Sequence, residues 1–111
     1  MGSAKDRRYD RVSFFTDLSI IANGGGQLCA GRSTDLSRGG VGFYSERFFS
    51  PGEEILISIH LKRPGVDRTV TVGARVIWAR AESNGALLGA RFDAPLCPAK
   101  QPVLCEYLDS T

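Results

Sequence analysis

Two short constellations carry the residues best suited to chemistry. Arg7-Arg8-Tyr9-Asp10-Arg11 holds an RxxxR spacing, inside an N-terminal cluster that also contains Lys5. Asp35-Leu36-Ser37-Arg38-Gly39-Gly40 holds a DxSxxG spacing. Cations crowded this closely point to a local anion site; the competing reading is a solvated chain terminus. The second constellation places a carboxylate, a hydroxyl and two glycines within one short segment, as an ordinary capped turn also does. Each spacing is weak alone. Their order, their separation and the strands around them make the pair informative.

Other chemistries find little support. The sequence has no GxGxxG or GxxxxGK[ST] phosphate loop, no HExxH and no GxSxG. The single histidine, His60, has no evident nucleophile to serve. Glu53 and Glu54 are adjacent, so on a strand they point to opposite faces and read as a polar strand entry. Cys29, Cys97 and Cys105 form no CxxC pair, and three cysteines do not close a disulfide framework. A zinc site would need a better ligand set. The cysteines are expected to be small core residues in a reducing compartment. The chain is therefore expected not to be an enzyme and to carry no cofactor or metal.

The elements that must position these residues follow from alternation and turn signals. With 111 residues, 42% hydrophobic and 23% charged, the chain has material for one core. Six strands are expected. The first runs from Val12 to Ala22, with Val12, Phe14, Leu18, Ile20 and Ala22 on one face, and Asn23 to Gly26 turn the chain. Residues 27–34 form a weaker second strand, 35–40 a turn, and 41–45 a short third strand. Residues 54–62 are the clearest: Ile55, Ile57, Ile59 and Leu61 share one face, while Ser58, His60 and Lys62 share a wet one. Residues 68–80 form a long strand with Val70, Val72, Ala74, Val76 and Trp78 aligned. Asn84-Gly85 is a hairpin signal, and 86–92 the last strand. After Pro98 the spacing becomes helical, with Val103, Leu104, Tyr107 and Leu108 on one face and Pro102 in the first turn. Six strands and one helix predict an all-β chain with a C-terminal helix, folded as a small antiparallel barrel, which leaves few exposed edges. The arm of residues 1–11, polar, charged and near a terminus, is expected to be mobile without ligand; residues 12–111 form one barrel domain.

Together the two constellations resemble the PilZ domain, a bacterial receptor for cyclic di-GMP. The resemblance covers nearly the whole chain. RxxxR precedes the first strand, and DxSxxG lies between the second and third. Phe49-Ser50-Pro51-Gly52-Glu53 leads into the isoleucine-rich strand, Val76-Ile77-Trp78 ends a long one, and Gly89-Ala90-Arg91-Phe92 precedes the helix. The resemblance implies a six-stranded barrel with a terminal helix. It also implies that Arg7 and Arg11 contact phosphate and guanine, that Arg8 helps, that Asp35 and Ser37 hydrogen-bond a guanine, and that Gly40 lets the backbone pass close to the ligand. An arginine fork can hold a phosphate bidentately, pair with guanine O6 and N7, or stack on a purine. Asp6 and Asp10 flank these arginines and would repel an anionic ligand unless they face away, pairing with Arg8 or Lys5. In the family the residue before RxxxR influences whether one or two ligand molecules bind, so Asp6 leaves stoichiometry open.

A polar, charged arm near a terminus then leads to the expectation of a switch: cyclic di-GMP bridges arm and turn, and the ordered arm presents a surface to a downstream protein effector. Trp78 and Tyr9 offer bases a stacking surface, although Trp78 continues an apolar strand face and is expected in the core or at the barrel rim. One alternative is an adaptor of the same fold that binds proteins and no ligand. Another is a single-stranded nucleic-acid barrel, which a net charge of +2 argues against. No run of about eighteen apolar residues and no apolar leader is present, so no membrane span is expected and the protein is read as cytoplasmic.

Overall fold

The computed structural model describes residues 11–109. Seven strands and a helix follow one another there: β1 (Val12–Ser13), β2 (Asp17–Ala22), β3 (Cys29–Leu36), β4 (Gly40–Ser45), β5 (Glu54–Arg63), β6 (Val66–Glu82), β7 (Gly85–Phe92) and α1 (Pro102–Asp109). All pairings are antiparallel, and they run β3-β2-β5-β6-β7-β4 and back to β3, closing a six-stranded barrel. The alternation in β5 sets the pattern. Ile55, Ile57 and Ile59 face inward at 0% exposure, and Ile20, Phe43 and Leu88 meet them from other strands.

Both barrel ends are filled. The connection from β4 to β5 crosses one end and drops Phe49 into the core, with the Arg47 guanidinium 4.7 Å from its ring centre. At the other end, α1 buries Leu104 and Cys105. Pro102 opens the helix, where its missing N–H costs nothing. The Cys105 thiol is pushed up from its ordinary pKa by burial, with the Arg38 guanidinium opposing the effect. Cys29 and Cys97 are half-buried, and all three thiols are free.

The first expected strand is divided in two. Residues 14–16 leave the ladder, and Ser33 stitches the gap. Its hydroxyl donates to Phe14 O at 2.6 Å and accepts from Thr16 N–H at 2.9 Å. Two backbone bonds flank it, Phe14 N–H to Thr34 O and Ser33 N–H to Thr16 O. As a result β1 pairs with the far end of β3, beyond the stretch that β2 occupies: Val12 faces Leu36 and Ser13 faces Asp35.

Two β-bulges interrupt the ladders. On β3, Ser33 faces Phe43 and Asp35 faces Gly42, which leaves Thr34 as the extra residue. On β6, Val76 faces Ala90 and Trp78 faces Gly89, which leaves Ile77. A bulge inserts one residue on one strand and so reverses the in-out phase beyond it. Trp78 therefore leaves the face of Val72, Ala74 and Val76 and lies outside at 44% exposure, contrary to the sequence expectation. The expected turn at 35–40 is likewise shorter: Asp35 and Leu36 belong to β3, and only residues 37–39 turn. His60, expected in solvent, is half-buried on the outer face, with Ser19 Oγ 2.8 Å from Nε2 and Thr69 Oγ1 3.2 Å from Nδ1.

Core and strand contacts make two expectations measurable by urea unfolding. Ile57→Ala empties a fully buried site and is expected to cost about 2–5 kcal/mol. Gly40→Ala places a Cβ 2.4 Å from Ala90 O, a backbone atom that cannot swing away, and is expected to cost about 1–3 kcal/mol. A wild-type midpoint for either variant contradicts this packing.

Candidate functional site

The short β1 determines what Arg11 can reach. Because Ser13 is held opposite Asp35, the residue two positions earlier stands beside the β3–β4 turn, and Arg11 Nη1 forms an ion pair with Asp35 Oδ1. Both side chains are 36% exposed. Asp35 would point inward with Ser33 in an uninterrupted β3; the Thr34 bulge turns its carboxylate outward.

Asp35 begins a cross-strand row on the outer surface. It faces Gly42 of β4, Gly42 faces Gly89 of β7, and Gly89 faces Trp78 of β6. The two glycines form a bare floor and the outer residues lean over it. A Cβ on Gly42 would meet Asp35 Oδ2 at 2.5 Å, and one on Gly89 would meet Trp78 Nε1 at 2.2 Å. The carboxylate and the indole edge thus stand above adjacent glycines, with ring and acid both open to solvent. Acceptors on one side and an aromatic surface on the other suit a flat, N–H-bearing ring.

Ser37 occupies the turn itself. It is 5% exposed, and its Oγ accepts from the N–H groups of Gly39 and Gly40 at 3.2 and 3.1 Å. Its own N–H donates to Gly40 O at 2.9 Å, and its hydroxyl points at the same oxygen from 3.4 Å. Neither Gly39 nor Gly40 has a positive φ. The demand for glycine at position 40 comes from β7, whose Ala90 carbonyl fills the space of a side chain.

The turn and the root of the arm both touch α1. Arg38 Nη2 lies 2.5 Å from Asp109 Oδ1, a carboxylate at the helix C-terminus that needs a cation nearby. Arg38 O also accepts from Leu96 N–H at 2.7 Å. Tyr107 donates its hydroxyl to Ser13 O at 2.9 Å and packs on Phe14, ring centres 5.0 Å apart. The Arg63 guanidinium covers Tyr107 at 4.5 Å.

Of the residues singled out in the sequence, the structure gathers Arg11, Asp35, Ser37 and Gly40 at one end of the barrel. Arg7, Arg8 and the flanking Asp6, Tyr9 and Asp10 lie outside the described residues. The outward position of Trp78 could have been suspected: inward residues in β6 fall on even numbers as far as Val76, yet Arg80 and Glu82 put charge on that phase. Gly42 and Gly89 carried no such signal. Among the described residues no group of three or more His, Cys, Asp and Glu is arranged to hold a metal ion, and no helix is long and apolar enough to cross a membrane.

Comparison with known proteins follows the same lines. No curated protein matches the sequence. Among solved structures, the inhibitor of motility MotI/DgrA of Bacillus subtilis superposes with a TM-score of 0.74 at 19% identity, over 94% of this chain and 50% of that one. This chain thus spans half the length of that relative. The PilZ domain of YcgR from Escherichia coli, solved with c-di-GMP, gives a TM-score of 0.71 at 20% identity, covering 94% of this chain and 89% of that domain. The PilZ domain of CeSA from a cellulose-synthesizing bacterium gives 0.56 at 16% identity, covering 91% and 96%. These likenesses establish a shared barrel fold. The sequence profile of the PilZ domain matches residues 5–103, and on that match the chain belongs to the PilZ domain family.

Proposed function

We propose that this protein is a cytoplasmic receptor for cyclic di-GMP that relays the ligand's presence to a downstream protein effector, and that it does so by binding alone, without catalysis. The observation that carries this reading is the Arg11–Asp35 ion pair. It joins the RxxxR segment to the DxSxxG turn beside an exposed indole over bare glycines. YcgR, a member of the same fold, has been solved with c-di-GMP bound.

In the proposed mechanism, guanine replaces Arg11 on Asp35. The ring and amino N–H groups of guanine donate to the carboxylate, while the base lies against Trp78. Arg11 then turns to a phosphate oxygen or to guanine O6 and N7. The exchange is cheap, because an ion pair this exposed contributes only about 0–1 kcal/mol. Arg7 and Arg8 close on the phosphates from the arm. Ser37 holds the turn in shape, and its weakly used hydroxyl hydrogen can be redirected to the ligand; Gly40 keeps the turn tight against β7. Adenine lacks the ring N–H and would bring an acceptor against the carboxylate, so the site discriminates by repulsion as well as attraction. The ordered arm, continuing from β1, which Tyr107 of α1 holds at Ser13, forms the surface that an effector reads.

Calorimetric titration tests the proposal. Cyclic di-GMP is expected to bind and cyclic di-AMP to bind far more weakly. Arg11→Ala or Asp35→Ala is expected to weaken binding about 10- to 100-fold, since each removes a charge-assisted contact. Tryptophan fluorescence, reporting on Trp78 alone, is expected to change on saturation. Absence of binding by the wild-type chain, with a partner protein captured instead, would make it an adaptor. A salt-dependent shift of oligonucleotides that cyclic di-GMP does not compete would make it a nucleic-acid binder.

A further inference from the structure

The geometry points to Arg91 as a fourth guanidinium of this site, contributed by β7 and taking a phosphodiester of the ligand. The inference rests on the receptor reading above and extends it to a residue outside both sequence motifs. Arg91 lies two residues beyond Gly89, so its side chain leaves β7 on the same outer face as the glycine floor. The separation is about 7 Å at ordinary strand rise, within the reach of an arginine side chain. On one flank Arg91 faces Gly40, the last residue of the DxSxxG motif, which has no side chain to share that surface. On the other it faces Arg75.

That second pairing is the unusual one. Two like charges directly opposite each other across a sheet are destabilising. Arg75 has its own counter-charge, Glu54 Oε2 at 2.8 Å. The Arg91 side chain is exposed and has no ion-pair or hydrogen-bond partner among the described residues. Among the described residues no ion pair neutralises the Arg91 guanidinium, which stands beside Arg75 at the border of a shelf walled by Asp35 and Trp78. An anion placed there removes the conflict. A base lying between Asp35 and Trp78 carries its phosphodiester only a few bonds away, and the fork of Arg91 can take both non-bridging oxygens at once. Lysine would offer charge without the fork.

The test is calorimetry with cyclic di-GMP on the whole chain at two salt concentrations, comparing wild type with Arg91→Ala, Arg91→Lys, Arg11→Ala and the charge-matched control Lys62→Ala, an exposed residue of β5. Arg91→Ala is expected to weaken binding about tenfold or more and to reduce its salt dependence. Arg91→Lys is expected to recover part of the loss, and Lys62→Ala to stay within about twofold of wild type. Thermal melting separates ligand contact from scaffolding: removing a like-charge neighbour of Arg75 is expected to leave the melting temperature unchanged or raised, and a clear drop would assign Arg91 a structural role instead. If Arg11→Ala weakens binding while Arg91→Ala matches Lys62→Ala, the role of Arg91 is overturned and the receptor reading stands. If the wild-type chain binds no cyclic di-GMP at all, both fall.

Discussion

A single exposed contact, Arg11 on Asp35, links the segment before the barrel to the end of β3, and the local architecture is arranged around making it possible. The pair is weak in itself, as exposed ion pairs are. Its geometry is nevertheless set by strong constraints. Ser33, buried at 1% exposure, holds the gap between β1 and β2 through two side-chain hydrogen bonds, and that gap delivers β1 to the far end of β3. A buried hydroxyl with both functions satisfied is costly to disturb. The weak, exposed contact is thus carried on a hydrogen-bonded support, as the proposed exchange of Arg11 for a ligand requires.

The outer surface owes its character to two irregularities in otherwise regular ladders. Thr34 and Ile77 each add one residue to one strand, on opposite sides of the β4–β7 pair. Each turns a following side chain from the barrel interior to the outside. Asp35 and Trp78 arrive in one row, separated by Gly42 and Gly89. Without the bulges a carboxylate and an indole N–H would point into a core whose side chains are almost all hydrocarbon, where an unpaired charge is expensive. The same insertions that relieve the core therefore assemble the site. The barrel interior itself remains undisturbed, with Leu36 and Val76 both buried beside the bulges.

Helix α1 gives the site a connection to the rest of the molecule. Through Asp109 it holds Arg38 in the turn, and through Tyr107 it holds Ser13 at the root of the arm. Both halves of the proposed ligand site therefore touch one short helix that also buries Leu104 in the core.

The amino-acid sequence by itself determined the barrel and the two motifs. Alternation in residues 54–62 and 86–92, turn signals between the strands and helical spacing after Pro98 are local, repeating patterns. They are set by which face meets hydrocarbon, and a single chain segment displays them. The division of the first strand, the phase reversals at Thr34 and Ile77, and the row from Asp35 to Trp78 were decided by tertiary structure. Each depends on which residue a neighbouring strand places opposite, and that register is fixed by closure of the whole sheet. The reason for Gly40 shows the difference most plainly: the glycine was visible in the motif, but the Ala90 carbonyl that requires it lies fifty residues further along the chain.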